Sequence, residues 1–466
     1  MRLESTNSPD PRDYFEVPKE KGSYRGPSTP LQTQIGPGEE AIKLPDEEME
    51  LLAKYASWEN NPPFDGPGRS GYVKRKEPLR TGSDTLYGYK LKGVGNFDER
   101  TRTISPPRGD SYQATWRTKD DSGRIIDEAP VILIHMGVSE NGTLYPVLDP
   151  PKPIGGLAPR RGQREFQNAA RLHAMGVPAC LPVAWGRYPE IKWQDEPTEF
   201  VVLGLPSNVT ERLGAYFEPD IIQNRIDVGR NMRKLIERRF DTYNPKRIED
   251  PLLRTTKDIG ENIGRVIRAG HDADVARFAS HLGNFSFMPN NRNILLHDLD
   301  SSIRLGSIHP QARALTMIRD VESAIFGFMH SITHANIYWI VHNQGKFSGL
   351  NPFKALLKGY FRDDVDENVI EEASRKIFEM VVQLIKLRTE IPSAYNQRVW
   401  MESAIINLVP LCLREIFQIY EKSALNRTNT LPYGMGDLEI NWQRFSRQKD
   451  EMYRKRVEEI MARQRS

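Results

Sequence analysis

The sequence predicts an α+β fold, with a mixed first half built on antiparallel strands and a mainly helical second half. Three observations carry this. Tyr87–Gly95 (YGYKLKGVG), Ala179–Trp185 and Phe200–Leu205 read as strands, and all lie before residue 206. Beyond it helical periodicity dominates, over 318–339, 367–390 and 399–422. Early in that second half a polar loop runs into a short apolar strand, Ile294–Leu296, which ends in two carboxylates, Asp298 and Asp300. At 466 residues the chain suits two lobes or two to three domains, with ample length to bury a core.

Composition excludes several function classes. Lysine plus arginine number 65 against 62 acidic residues, a net charge of +3, so no strong field for nucleic acid or an anionic membrane is expected. The basic clusters have few aromatics between them, which argues against a stacking platform for single strands. Cys180 and Cys412 share no metal-ligand spacing and suggest a reducing compartment. The N-terminus has no apolar segment of signal-peptide type, and the longest apolar run, near Ala404–Leu413, is short and holds Pro410. A cytoplasmic protein with no membrane and no nucleic-acid partner is the expectation.

Taken in order, residues 1–45 are rich in Pro, Gly, Ser and charge and read as a flexible or surface-draped N-terminal arm. An N-lobe follows over 46–205. Its first helix spans Asp46–Trp58, opened by acidic residues, with Met49, Leu51, Leu52 and Tyr55 on one face. In Phe64–Arg75 (FDGPGRSGYVKR), Gly66, Gly68 and Gly71 would let backbone amides approach a phosphate beside Arg69, or would simply form a hairpin. Lys92 sits on the next strand before a Gly-x-Gly turn, where a lysine can hold a phosphate as a point charge. Residues 96–153 look like an insertion with a strand at Ala129–His135. Gly155 and Gly156 then lead into a helix over Arg164–Met175, with Phe166, Ala169, Ala170 and Leu172 on its apolar face, Glu165 in its first turn, and Gly176 and Pro178 as its stop. A helical C-lobe over 206–436 and a C-terminal helix over 437–466 complete the chain.

The stretch His281–Asp300 (HLGNFSFMPNNRNILLHDLD) is the candidate metal and nucleotide loop. A buried strand would hold Asp298 and Asp300 still, in extended geometry on one face, and asparagine oxygens would add hard ligands suited to Mg²⁺. The alternative is a hairpin with a polar turn at Pro289–Arg292. A strand with a lysine, a helix with a glutamate, antiparallel strands and then a helical region holding an Asn/Asp loop is the order of a protein-kinase-like two-lobe fold. There the lysine must reach nucleotide phosphates and a helix carboxylate must orient it.

LKGVG together with GGLAPRRGQREFQNAARLHAMGVP resembles the lysine strand and helix of the selenoprotein O family, kinase-like enzymes that move AMP from ATP to protein hydroxyls. PSNVTERLGAYF is similar to a later element of that family, and Gly66-Pro67-Gly68-Arg69 resembles its Gly-x-Gly-Arg phosphate loop. The resemblance covers about Phe64 to Asp300, with gaps. It implies nucleotide-binding roles for Gly66, Gly68, Arg69, Lys92, Gly155, Glu165 and Arg212. Aligned backward from Asp300, the family's base and metal asparagine fall at Asn290 and Asn291. In a second register, His281 and Asn284 followed by Asp298 resemble aminoglycoside-type phosphotransferases, and the base position falls at Ala279. Neither register supplies a carboxylate base, and one arginine of the family's phosphate pair has no counterpart. On this reading His281 and Asn290 are the catalytic candidates, and Asn284, Asn291, Asp298 and Asp300 the metal ligands.

The resemblance implies an ATP- and Mg²⁺-dependent transferase, moving AMP or phosphate to an unknown protein or small-molecule acceptor. A small-molecule phosphotransferase and a catalytically silent nucleotide- or partner-binding pseudokinase are the alternatives. Asp320 reads as a brace for the catalytic loop rather than a catalytic group. His330, His334 and His342 have spacing that could bind Zn²⁺ but read better as packed helix residues.

Overall fold

The structure is a computed structural model. It describes the chain except residues 1–13, 17–21, 37, 67, 113–114, 120–124, 131–133, 139–143, 149–151, 210, 218–219, 223–224, 228, 241–248, 278–279, 289–291, 309, 336–350, 389–407, 411, 414, 418, 421–443, 446, 453–454 and 456–466. The chain divides into two units. The first comprises Met1–Gln113, Pro150–Thr210 and the short segment His297–Ser302; the second comprises Ala114–Asp149, Glu211–Leu296 and Ile303–Ser466. The fold is α+β, with an antiparallel sheet in the first unit and most of the helix in the second.

The sheet of the first unit has eight strands: β1 (Phe15–Glu16), β2 (Ser23–Tyr24), β3 (Gln34–Gly36), β4 (Gly68–Thr81), β5 (Asp84–Asp98), β6 (Thr103–Ser105), β7 (Leu181–Trp193) and β8 (Glu196–Leu205). Its order is β1-β4-β5-β8-β7-β3, with β6 on the end of β5 and β2 beside β6. The described part of residues 1–45, read from composition as a flexible or surface-draped arm, lies along this sheet. It adds three short strands, and the Phe15 ring is almost fully buried. Strands of two or three residues carry no periodicity, which is why composition alone reads them as coil. β7 and β8 run longer than their apolar cores because Gln194 and Asp195 both take left-handed φ, 52° and 66°, and close a tight hairpin whose twist matches the strands.

Helix α1 (Asp46–Ser57) lays Leu51, Leu52 and Tyr55 against Val73, Tyr89, Leu91 and Val94 of the sheet, making the core of this unit. Helix α2 (Arg161–Ala174) packs on β7 and β8. It starts three residues earlier than the periodicity suggests, so Glu165 lies in its second turn rather than its first. It stops where expected. Gly176 takes φ 68°, Val177 N–H donates to Leu172 O at 2.9 Å and Gly176 N–H to His173 O at 2.9 Å, the double bond of a Schellman cap.

In the second unit, hairpins at Thr115–Lys119 with Ile125–Pro130 and at Ile134–Val138 with Leu144–Leu148 occupy the expected insertion; the described residues of the strand expected over Ala129–His135 belong to two of these strands. Helices α3 (Arg230–Arg239), α4 (Glu249–Asp272), α5 (Pro310–Ala335), α6 (Pro352–Phe361) and α7 (Glu367–Arg388) follow, with short strands β9 (Val275–Ala276), β10 (Phe285–Phe287), β11 (Ile294–Leu296) and β12 (Ile303–Arg304) between α4 and α5. Described residues between 408 and 420 and between 444 and 455 are helical, in the regions read as the last two helices. Among the described residues no helix is long and apolar enough to cross a membrane.

α4 and α6 approach closely because glycines meet there. A Cβ on Gly264 would strike Leu356 O and lie 2.7 Å from Tyr360 N, and one on Gly359 would strike Glu261 O. These are backbone atoms that cannot swing aside. Gly264→Ala should therefore lower stability by about 2 kcal/mol or more in urea denaturation, whereas Gly66→Ala, which meets nothing within 4 Å, should leave the midpoint unchanged.

Candidate active site

The period-2 alternation of β5 sends Tyr89 and Leu91 into the core and Lys90 and Lys92 to the other face. Lys92 is only 2% exposed. Its Nζ donates to Glu165 Oε2 at 2.8 Å and to Asp298 Oδ1, and lies 3.3 Å from Asp300 Oδ2. Burial alone would lower the pKa of this ammonium. Asp298, Asp300 and Glu165, with Arg69 opposing, more than reverse that and hold it above the ordinary lysine value, so it is charged at neutral pH.

Helix α2 presents Glu165 and Asn168 from one face, three residues apart. Glu165 is fully buried. Asn168 Nδ2 donates to Leu299 O and Ser302 O, both at 3.3 Å, and so fixes the carboxylate turn against the helix that carries Glu165. The turn is not extended: Asp298 takes φ 63°, a left-handed conformation that aspartate tolerates better than most side chains. Asp298 and Asp300 converge on Lys92 through this kink rather than through strand alternation. Arg69 Nη2 donates to Asp300 Oδ2 at 2.9 Å. For Asp300, burial pushes the carboxyl up. Lys92 pulls it down, Asp298 opposes that, and Arg69 and Arg161 add to it; the net position is below the usual carboxylate value. One oxygen each of Glu165, Asp298 and Asp300 lie within 4.8 Å of one another. Three hard oxygen donors fit Mg²⁺ and would not select a soft metal.

The glycines divide. Gly155 has a packing reason. At φ 74° a Cβ would lie 2.8 Å from Gly95 C, and its carbonyl accepts from Gly95 N–H at 3.1 Å. Gly68, at φ 105°, opens β4 immediately before Arg69, and Gly66 and Gly68 both face open space. The stretch folds back, with Tyr72 N–H donating to Pro63 O at 3.1 Å, and it carries Arg69 to Asp300.

In the second unit, His281 and Asn284 form their own cluster. His281 Nδ1 accepts from Gly283 N–H at 3.2 Å, and Nε2 lies 2.9 Å from the Asn284 side-chain amide, so both ring nitrogens are engaged in shaping the loop. Arg212 forms an isolated β-bridge with Ser286. Asp320, on α5, does brace this loop: it accepts from Arg277 N–H at 2.7 Å, from the Ser280 hydroxyl, and pairs with His271 Nε2 at 3.1 Å. Asn290, Asn291, Ala279 and His342 lie outside the described residues, as do the side chains of His330 and His334.

Sequence reasoning missed Lys90, which is 1% exposed with its Nζ 3.6 Å from Glu165 Oε1 and 3.8 Å from Asp298 Oδ1. The signal was present, since residues two apart on a strand share a face. It also missed Asn168, one helical turn from Glu165, and the buried pair Cys180 Sγ and His297 Nδ1, 3.1 Å apart behind the turn.

No family model matches the chain, and no curated protein matches it. Among solved structures it is similar to WaaP in complex with acyl carrier protein (14% identity, TM-score 0.29, covering 59% of this chain and 88% of that one). It is also similar to a rhoptry kinase from Toxoplasma gondii (9% identity, TM-score 0.23, covering 66% and 86%). Along this chain the lysine strand β5, the glutamate helix α2, the antiparallel hairpin of β7 and β8, and the carboxylate turn follow one another in that order.

Two measurements check the electrostatics. Lys92→Ala leaves three converging carboxylates around a void, so it should cost about 3–5 kcal/mol in urea denaturation, and adding Asp298→Asn should recover part of the loss. Asp320 is buried, which raises its carboxyl, but hydrogen bonds from His271, Ser280 and Arg277 N–H hold it below the ordinary carboxylate value. A depressed carboxyl stabilises the fold above its unfolded pKa, and that contribution is lost as pH falls through the folded value. The stability gap between wild type and Asp320→Asn should therefore be constant above about pH 5 and narrow below the unfolded value near 4.

Proposed function

We propose that this chain is an ATP- and Mg²⁺-dependent transferase, divergent from the selenoprotein O family, that moves AMP to a hydroxyl acceptor. One observation carries the reading: a buried lysine on a strand, paired at 2.8 Å to a buried helix glutamate, with two aspartates at the same ammonium. A structural ion pair needs one carboxylate. Three around one lysine, two of them on a kinked turn, suit a site that exchanges lysine contacts for those of a metal-bound polyphosphate.

In this reading Lys92 orients phosphate, Glu165 orients Lys92, and Asp298 and Asp300 hold Mg²⁺ through their oxygens. Bound Mg²⁺ would neutralise phosphate charge and polarise the phosphoryl oxygens. Arg69, whose planar fork already engages Asp300, stands beside that carboxylate as a second phosphate-compatible cation. A loose phosphoryl transition state depends on positioning and charge more than on a general base, so a missing base aspartate is compatible with activity. That same absence in both sequence registers favours, as a second reading, a silent nucleotide-binding module.

ATP with Mg²⁺ should raise the wild-type melting temperature by mass action. Asp300→Asn should raise the Mg²⁺ concentration needed for that shift about tenfold, and Asp298→Asn less. An unaltered Mg²⁺ response in both variants would remove the metal site. Incubation with ATP labelled at the α or the γ position, with lysate as acceptor, separates the chemistries. Label transferred from the α position alone is expected. Label from γ alone would make the protein a phosphotransferase, and binding without transfer would favour the silent module.

A further inference from the structure

Each of the three carboxylates that meet Lys92 has a second cation. For Asp300 it is Arg69, at 2.9 Å. For Glu165 and Asp298 it is the same group, Lys90 Nζ, at 3.6 and 3.8 Å. Those two distances are ion-pair distances, too long for hydrogen bonds. Glu165 Oε1, the oxygen facing Lys90, is buried and accepts no hydrogen bond, while Oε2 is bonded to Lys92. Lys90 thus stands between two anions and grips neither.

Within ion-pair distance, Lys90, Lys92 and Arg69 face Glu165, Asp298 and Asp300, and Arg161 and Arg164 add positive charge near Asp300. A buried carboxylate stripped of its only cation is strongly disfavoured. If Lys92 were the sole partner of Glu165, moving its ammonium onto a ligand phosphate would strand Glu165. With Lys90 in place, a short approach of Lys90 to Oε1 compensates the carboxylate as Lys92 leaves.

We infer that Lys90 is a positioning residue of the nucleotide site, a standby counter-ion that takes over Glu165 and Asp298 when Lys92 turns to a phosphate. This rests on the nucleotide reading above. It makes Glu165 a shared carboxylate, passed between two lysines of one strand, and it assigns a role to a buried charge that the binding chemistry otherwise leaves unused.

The test is a double-mutant cycle read as the dissociation constant for ATP with Mg²⁺, by calorimetry on the full chain. Lys90→Met should weaken binding about tenfold, because Lys92 is then held by Glu165, while Lys90→Arg, which keeps the cation, should stay within about threefold of wild type. Glu165→Gln alone should weaken binding, because Lys92 loses the carboxylate that orients it, and adding Lys90→Met to it should cost no more than about twofold further, since no carboxylate remains to be stranded. A residue that only fills space would lower affinity by the same factor whether or not its neighbour carries a charge. Wild-type affinity in Lys90→Met, or a double variant about tenfold weaker than Glu165→Gln, overturns the inference. Should Lys90→Met not fold, Glu165→Gln is compared with the double variant. Equal affinities are expected there, and a tenfold difference shows Lys90 acting by another route and likewise overturns it. Wild type that fails to bind ATP with Mg²⁺ removes the nucleotide reading itself, and this inference with it, an outcome distinct from a failure at Lys90 alone.

Discussion

The first unit depends on one constraint, the burial of the Lys92 ammonium. An unpaired ammonium in this environment would lose its proton or unfold its surroundings, since desolvation of such an ion costs several kcal/mol. It is stable because β5 carries it to the face opposite the core, α2 brings Glu165 to it, and the 298–300 turn brings two more carboxylates. Each of these elements also has an apolar reason to be where it is. The lysine, however, is what ties a strand, a helix and a turn distant in sequence to a single point.

The second unit repeats the device with the opposite sign. There a buried carboxylate, Asp320, gathers a backbone N–H, a hydroxyl and an imidazole around itself. His271 continues the chain to the Tyr360 hydroxyl at 2.8 Å, so α4, α5 and α6 share one polar hub. Such a network is favourable only when every lone pair has a donor, and it then specifies one arrangement more sharply than apolar packing does. Both units thus place a satisfied buried charge beside the segment that carries their polar chemistry.

Much of this was legible in the sequence because it is local. Alternation in YKLK sets the lysines on one face. The apolar stripe of α2 sets Glu165 toward the sheet, and Gly176 stops the helix. Asp298 and Asp300 at the end of an apolar strand mark a site. The strands within residues 1–45 were not legible, because each is two or three residues long and pairs with β4, β6 or β7, partners distant in sequence.

Residue pattern by itself determined the α+β class, the order of lysine strand, glutamate helix and carboxylate turn, and which face of each element is polar. All of these follow from backbone periodicity and end signals within a few residues. Only the tertiary structure decided which polar groups meet. The bonds of Lys92 to Glu165 and Asp298 and of Arg69 to Asp300 span 73, 206 and 231 residues, distances over which periodicity says nothing. The left-handed turn at Asp298, the anchoring of that turn by Asn168, and the second lysine beside Glu165 belong to the same class. They arise because a buried charge must find its partners in space, and space is set by packing rather than by neighbours along the chain.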